Sequence, residues 1–272
     1  MKKLLRLSVN AIPLAGRGWI KHIPILAGFQ RWLVNGLLSG TSFVHTINAG
    51  PAAGLRFEIT LPHDKAIWAG MFEPEFSAAL RAGVRPGDVC YDIGSYRGYM
   101  SGIMALAGAA QVVACEPLPA NVAALQRLTG LNPALPLLVE PIAIGASDGE
   151  VQFGIMPDPS MGKLTTSTFQ RESAFEKKLT VNMWRLDTLI FEKGLLRPDV
   201  IKIDVEGVEA DVLRGAEKTL AERKARVFLE AHSPALAEEC RHLLVSLGYR
   251  VRQLESDLPG SEQTRHLMAE PN

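Results

Sequence analysis

Short apolar runs alternate with helical patterns along the chain from residue 84 onward. The runs are VCYDIG, QVVACEP, LPLLVEPIAI, VIKIDVEG, RVFLEAH and YRVRQL. Strands that are apolar throughout, and that are separated by helices, are typical of a parallel sheet covered on both faces. The pattern therefore predicts an α/β fold built on a Rossmann-like, doubly wound and mostly parallel sheet.

Helical signals follow two of these runs. After VIKIDVEG an apolar stripe recurs at helical spacing, at Val208, Val212, Leu213, Ala216 and Leu220. After RVFLEAH, the pair Ser233-Pro234 is typical of a helix start and Gly248 of a helix end. We expect both segments to be helices that pack on the sheet.

The chain between the third run and VIKIDVEG is too long for one crossover helix, since it holds about 55 residues. We predict a strand-loop-strand insertion at about residues 148–190, within a domain that spans residues 61–272. Its strands are predicted at Glu150 to Met156 and at Leu179 to Leu186. The polar stretch between them, Pro157 to Lys178, is either a substrate lid or a plain connection.

The N-terminal part, residues 1–60, is predicted to be a basic and partly helical extension. Residues 1–57 carry seven basic side chains and no Asp or Glu. Such a segment could cap the domain, contact a second subunit, or lie on an anionic membrane surface through residues 1–40. An organelle presequence is a further alternative. Polar residues interrupt its apolar runs, so no bilayer-spanning helix is predicted there.

Composition narrows the class of protein. The chain has 272 residues, of which 47% are hydrophobic and 21% charged, and this balance excludes disordered, collagenous and disulfide-rich proteins. Basic and acidic residues both number 29, and because residues 1–57 hold no acidic ones, the rest of the chain is mildly acidic. This argues against nucleic-acid binding. Three cysteines without metal-ligand spacing predict core thiols in a reducing compartment. We therefore expect a cytoplasmic protein, with the inner face of a membrane as an alternative site.

Two strand ends carry a candidate nucleotide site. The first strand runs into Asp92-Ile93-Gly94-Ser95-Tyr96-Arg97-Gly98, where glycines permit a sharp turn and a close approach of backbone to a ligand. The turn lacks the middle glycine of the dinucleotide pattern. The second strand ends in Glu116-Pro117, and a carboxylate there can accept both hydroxyls of a ribose. We predict that Asp92 and Glu116 frame one adenosine-type ligand.

Several segments together resemble the FkbM-type family of S-adenosylmethionine-dependent methyltransferases over roughly residues 70–235. They are VCYDIGSYRGY, VVACEPLPANVAAL, VNMWRLDTL, IKIDVEGVEADVLRGAE and the stretch Met71 to Glu75. The resemblance implies a class I methyltransferase-like sheet with S-adenosylmethionine as cofactor. It implies that Asp92, Gly94 and Gly98 hold the methionine part, Glu116 with Pro117 the ribose, and Ala143 the adenine through backbone. Arg97 departs from related loops and could face the cofactor carboxylate, an anionic substrate, or solvent.

Four polar residues end the two strands next to this site and are candidates for catalysis: Asp204, Glu206, Glu230 and His232. Methyl transfer to an alcohol needs a base that takes the hydroxyl proton. His232 is the first choice, since an unperturbed imidazole titrates near neutral pH. Asp204 could bind the methionine amino group or the substrate hydroxyl, and Glu206 could orient Lys202 or cap the next helix. We predict no dedicated metal site, although the three acids and His232 could hold Mg²⁺ between enzyme and substrate.

The expected reaction is O-methylation of a hydroxyl on a sugar, a glycolipid or a polyketide-type natural product, as the resemblance suggests. The expected partner is therefore a small molecule, a glycan or a glycolipid. Two alternatives remain open at this point. One is an NAD(P)-dependent oxidoreductase on the same sheet, and the other is a non-catalytic membrane-associated protein that has kept the fold.

Overall fold

The computed structural model describes residues 40–155, 162–164, 177–254 and 264–272. The strands are β1 (Thr41–Thr46), β2 (Arg56–Leu61), β3 (Val89–Ile93), β4 (Gln111–Cys115), β5 (Leu137–Glu140), β6 (Ala143–Ile144), β7 (Gly149–Ile155), β8 (Gly162–Leu164), β9 (Lys177–Trp184), β10 (Val200–Ile203), β11 (Arg226–Ala231), β12 (Tyr249–Leu254) and β13 (Arg265–Pro271). The helices are α1 (Lys65–Ala69), α2 (Pro74–Gly83), α3 (Tyr99–Leu106), α4 (Pro119–Leu131), α5 (Leu186–Phe191), α6 (Glu209–Gly215), α7 (Glu217–Ala221) and α8 (Pro234–Ser246).

A seven-stranded sheet in the order β12-β13-β11-β10-β3-β4-β5 forms the centre of the domain. Strands β11, β10, β3, β4 and β5 pair in parallel, and β13 lies antiparallel between β11 and β12. The four residues of β10 are buried throughout, as the continuous apolar run predicts. The predicted α/β class with a mostly parallel sheet is confirmed.

The two predicted helices are present, with one difference. The stripe from Val208 to Leu220 is buried as expected, but it divides into α6 and α7 at Ala216. Helix α8 starts as predicted, because the Ser233 side chain accepts a hydrogen bond from the Leu236 amide at the N-cap. The helix ends at Ser246, and Gly248 follows with a left-handed φ of 86°.

A second, four-stranded sheet in the order β6-β9-β7-β8 includes the two predicted strands between the third run and β10. The third apolar run itself is split, because β5 joins the main sheet and β6 joins this smaller one. Strand β8 was not predicted. Much of the polar stretch 157–178 lies outside the described residues, so its two interpretations stay predictions, as do the proposed domain boundaries.

A β-hairpin of β1 and β2 precedes the main sheet and was also not predicted. Its strand β2 alternates exposed and buried positions, and Phe57, Ile59 and Leu61 pack in the same apolar cluster as residues of α2, α3 and β4. Residues 1–39 lie outside the described residues, and so does the predicted membrane contact. Within the described residues, no helix combines the length and apolarity needed to cross a bilayer.

The three cysteines are buried and free of disulfides, as predicted for core thiols. Burial raises the pKa of the Cys90 thiol to about 12. Such a group behaves as a small apolar side chain rather than a nucleophile at neutral pH. The cytoplasmic location stays a prediction.

Candidate active site

A cavity of about 430 Å³ opens at the carboxyl ends of β3, β4, β10 and β11. This volume lies within the ~300–1,000 Å³ typical of small-molecule sites, and the position is where open α/β sheets bind ligands. Eight of the predicted site residues line the cavity: Gly94, Glu116, Pro117, Ala143, Asp204, Glu206, Glu230 and His232. The topology therefore brings together most of what the sequence suggested.

Glu116 is held rigidly at the end of β4. Its Oε2 accepts a hydrogen bond from the Tyr96 amide at 2.9 Å, and its Oε1 accepts one from the Leu118 amide, also at 2.9 Å. The Asn121 side-chain amide adds a contact to Oε1 at 3.3 Å. Burial raises the pKa of Glu116 to about 7, although these hydrogen bonds favour the ionised form. The carboxylate is therefore fixed in position and titrates near neutral pH.

The wall beside Glu116 is apolar and draws on both sheets. Pro117 and Leu118 follow β4, Ala143 and Ile144 form β6, and Phe153 belongs to β7. Ala143, Phe153 and Leu118 also share one packed cluster with Val208. The inserted sheet thus supplies part of the cavity wall, which suits a flat apolar group such as a nucleobase.

The two glycines of the first turn have different roles. A Cβ on Gly94 would lie 1.7 Å from the Asp204 carbonyl oxygen, so only glycine allows the two strand ends to meet beside the cavity. Gly98 does not line the cavity. A Cβ there would lie 2.6 Å from both Leu125 and Leu128, so its absence lets α3 approach α4. The geometry gives Gly98 a packing role, and its expected contact with the cofactor stays a prediction.

Asp92 is not among the residues that line the cavity, although Ile93 and Gly94 beside it are. Its side chain is fully buried, and Oδ1 pairs with Lys202 Nζ at 3.0 Å while Oδ2 accepts from the Ser101 hydroxyl at 2.6 Å. Lys202 also donates to the Gly94 carbonyl at 2.8 Å. The charge of Asp92 is thus used to neutralise a buried lysine. We therefore propose that Asp92 serves this ion pair, and its expected contact with the cofactor stays a prediction.

Arg97 points into the protein rather than towards cofactor, substrate or solvent. Its side chain is only 13% exposed, and its Nη1 lies 2.8 and 2.9 Å from the two carboxylate oxygens of Asp64. The guanidinium also donates to the Glu58 carbonyl and lies 5.2 Å from the centre of the Phe57 ring. Arg97 therefore joins the first turn to the β-hairpin.

The opposite end of the cavity holds the four predicted catalytic side chains. His232 Nε2 lies 3.5 Å from Glu206 Oε2, 3.6 Å from Asp204 Oδ1 and 4.0 Å from Glu230 Oε1. Asp204 is also 3.4 Å from Lys202 Nζ. Burial raises the pKa of Glu206 to about 7. The charge of His232 opposes this rise, whereas the charges of Asp204 and Glu230 add to it. This end is a dense cluster of acids around one imidazole.

Glu209, at the start of α6, fixes the imidazole of His232. Its Oε1 lies 2.7 Å from His232 Nδ1, and its side chain is fully buried. Burial alone would lower the pKa of His232, but the hydrogen bond to Glu209 and the charges of Asp204 and Glu206 outweigh it and raise the pKa to about 10. The ring is therefore held protonated at neutral pH. This state conflicts with His232 as the first choice for the base.

Glu73 completes this end of the cavity. It precedes α2 in a left-handed conformation, with φ 42° and ψ 62°, which is uncommon for a residue other than glycine. Burial raises its pKa to about 9, and the charges of Glu230 and Asp204 add to the effect. Phe72 lines the cavity beside it. Backbone strain of this kind is concentrated at functional sites.

The family model for the methyltransferase FkbM domain matches residues 92–251, which is more than half of the chain. The chain belongs to this family. Methyltransferase activity is therefore its function class, and the alternative of a nicotinamide-dependent oxidoreductase is not supported. A hexuronic acid methyltransferase, AglP of Haloferax volcanii, is 29% identical over 174 residues, which cover 62% of this chain and 67% of that protein.

Solved structures resemble the fold more distantly. The methyltransferase FkbM of Methylobacillus flagellatus KT is 19% identical with a TM-score of 0.49, and the match covers 67% of this chain and 43% of that longer one. A ribosomal protein L11 methylase of Lactobacillus delbrueckii subsp. bulgaricus is 11% identical with a TM-score of 0.47, covering 75% and 79% of the two chains. At such values these similarities add nothing to the family assignment.

Three residues that shape the site were not predicted as part of it: Lys202 pairs with Asp92, Glu209 is bonded to His232, and Glu73 lines the cavity. A signal existed for Lys202, because a lysine inside an entirely apolar strand needs a buried carboxylate partner. Glu209 follows the strand end by a few residues, and its partner His232 lies on another strand. Glu73 precedes the whole sheet in sequence, so only the folded chain brings it to the cavity.

Proposed function

We propose that the cavity binds S-adenosylmethionine and that the protein transfers its methyl group to an oxygen of a sugar acceptor. The residues present fit the cofactor. Glu116 presents a fixed carboxylate at the cavity, and an apolar wall that includes Ala143 and Phe153 adjoins it. One observation carries the proposal. The same cavity contains both the Glu116 end, which suits a nucleoside, and the cluster of acids around His232.

Each end would have its own task. Glu116 would accept the ribose hydroxyls, the apolar wall around Ala143 would contact the adenine, and Asp204 would hold the methionine amino group. S-adenosylmethionine supplies an electrophilic methyl group when it is bound. The remaining carboxylates at the His232 end would then face the acceptor.

Glu206 is our candidate for the base that takes the acceptor proton. Its side chain is 31% exposed, lines the cavity and lies 3.5 Å from His232 Nε2. A pKa raised to about 7 suits a general base that works near neutral pH. His232, held as a cation by Glu209, would orient the ionised Glu206 and partly offset the surrounding negative charge.

The acceptor class follows from charge and from the relative. The similar protein AglP is a hexuronic acid methyltransferase, which supports a sugar acceptor. Asp204, Glu206 and Glu230 line this end of the cavity around a single imidazole, and the net negative charge that remains would repel another anion at short range. We therefore propose a neutral sugar hydroxyl as the methylated oxygen.

The test follows a labelled methyl group from S-adenosylmethionine to glycans with and without a hexuronic acid. The expected product keeps its label in mild alkali, as an ether does, whereas a methyl ester loses it. Glu206→Gln should lower turnover ~10²–10⁴-fold, the range for loss of a general base, with little change in S-adenosylhomocysteine affinity. Glu150→Gln, on an exposed position of β7, is the matched control. An alkali-labile product, or a fully active Glu206→Gln, would contradict the proposal.

A further inference from the structure

We infer that Glu73, Glu230 and His266 form a binding site for a divalent transition-metal cation at the edge of the cavity. The three residues come from distant parts of the chain: the residue before α2, strand β11 and strand β13. One ligand atom of each lies within 4.8 Å of the others. Donor atoms from separate elements are thus gathered around one point.

His266 provides the observation that distinguishes this site from a simple cluster of acids. Its side chain is 9% exposed, and its Nε2 is buried without a hydrogen-bond partner among the described residues. This nitrogen lies 3.4 Å from Glu230 Oε2. A buried polar atom without a hydrogen-bond partner destabilises the fold. A cation between the imidazole and the carboxylate would satisfy it.

The imidazole is held in place by its surroundings. His266 pairs directly with Glu230 across the antiparallel β11–β13 ladder. Its ring stacks on Phe76 of α2, with ring centres 4.5 Å apart and planes 24° apart. The position of Nε2 beside Glu230 is therefore fixed by the fold before any cation arrives.

The positively charged side chains nearby, Lys202 and His232, already pair with other carboxylates. Lys202 lies against Asp92 and Asp204, and His232 is bonded to Glu209 while its Nε2 stays 4.0 Å from Glu230. Glu73 and Glu230 are thus two carboxylates next to each other at the wall of a cavity. A bound divalent cation would displace any proton held between them and compensate the charge of both carboxylates.

The donor set indicates the class of metal. Imidazole nitrogen suits first-row transition metals, and carboxylates suit Mn²⁺ among them, whereas Mg²⁺ and Ca²⁺ prefer oxygen ligands alone. Glu73 and Glu230 both line the cavity, so open coordination positions would face it. An acceptor oxygen could then complete the coordination.

The test is a titration of the full chain, freed of metal by a chelator, with Mn²⁺ alone and followed by electron paramagnetic resonance. Neither cofactor nor acceptor is added, so failure of the proposed methyl transfer would leave the result interpretable. We expect one tightly bound Mn²⁺ per chain that an excess of Mg²⁺ does not displace. His266→Gln should weaken binding at least ~10–100-fold, since even indirect partners of metal ligands contribute that much.

His242→Gln is the matched control, because the His242 side chain is 84% exposed on α8. It should leave the affinity unchanged. Glu73→Gln changes a partly exposed position and should weaken binding as well, which decides the question if His266→Gln does not fold. No bound Mn²⁺, displacement by Mg²⁺, or full affinity in the variant that folds would overturn the inference.

Discussion

The charged side chains at the two ends of the cavity are stabilised in different ways. At one end, a single carboxylate, Glu116, is held by the backbone amides of Tyr96 and Leu118. At the other end, carboxylates surround His232 at 3.5 to 4.0 Å and depend on one another and on two buried cations, Lys202 and His232 itself. Amides fix a group for binding, whereas coupled ionisable groups tune one another for chemistry.

Lys202 contacts the first turn through the Gly94 carbonyl and the His232 end through Asp204. Its loss should have the largest effect. In Lys202→Met the fully buried Asp92 would lose its counter-charge and Asp204 would lose a neighbour. Removing one partner of a buried ion pair costs about 3–5 kcal/mol. We expect that loss in the free energy of unfolding, measured by urea denaturation.

Lys224→Met, at a position 68% exposed, is the control and should be within the error of the wild type. The double variant Lys202→Met with Asp92→Asn should recover part of the loss, because it removes both buried charges together. A small effect of Lys202→Met alone would mean that Asp92 is not paired with it in solution.

Glu209→Gln should act only on the His232 end. Loss of a hydrogen bond to a charged group corresponds to about 1.5–3 kcal/mol, which is about one to two pKa units. The pKa of His232 should therefore fall from about 10 towards the ordinary 6.5. An NMR titration of the imidazole measures the shift, and Glu238→Gln on the exposed side of α8 is the control.

The same pair makes stability depend on pH. Because the folded pKa of His232, about 10, is raised above 6.5, the pairing stabilises the fold fully below pH 6.5. This contribution is lost as the pH rises through about 10. Glu209→Gln should flatten that decline in urea denaturation. An unchanged imidazole titration and an unchanged decline would show that Glu209 does not control His232.

The Glu116 end should show a smaller dependence on pH. The ionised carboxylate accepts hydroxyl hydrogens better than the neutral acid, and burial raises its pKa to about 7. One pH unit below that value, about a tenth of the group is ionised, so S-adenosylhomocysteine should bind roughly tenfold more weakly. Calorimetry between acidic and mildly basic pH measures this. A flat profile in the wild type would contradict the role of Glu116.

Much of the fold follows from the sequence, because buried parallel strands are apolar throughout and helix ends carry cap residues. The β1–β2 hairpin and β13 were missed. Strand β2 shows an alternating pattern that a search for continuous apolar runs does not detect. Strand β13 mixes Arg265, His266 and Glu270 with apolar residues.

The candidate site also contains positions that could be predicted from the sequence and positions that could not. Glu116 is predictable, since its position at a strand end is local in sequence. Asp92 occupies a similar position in sequence, but the neighbouring strand supplies Lys202, and this partner decides which way its charge is used. The state of His232 depends on Glu209 and three strand-end acids, so only the assembled site determines it.

The central claim is that Glu116 holds the cofactor while Asp92 serves the buried lysine. Calorimetry with S-adenosylhomocysteine tests it directly on Glu116→Gln and on the charge-compensated pair Asp92→Asn with Lys202→Met. We predict that Glu116→Gln loses about 1.5–3 kcal/mol of binding free energy, the contribution of hydrogen bonds to a charged group, while the folded double variant binds nearly as the wild type. Full affinity in Glu116→Gln, or an equal loss in the double variant, would contradict the account.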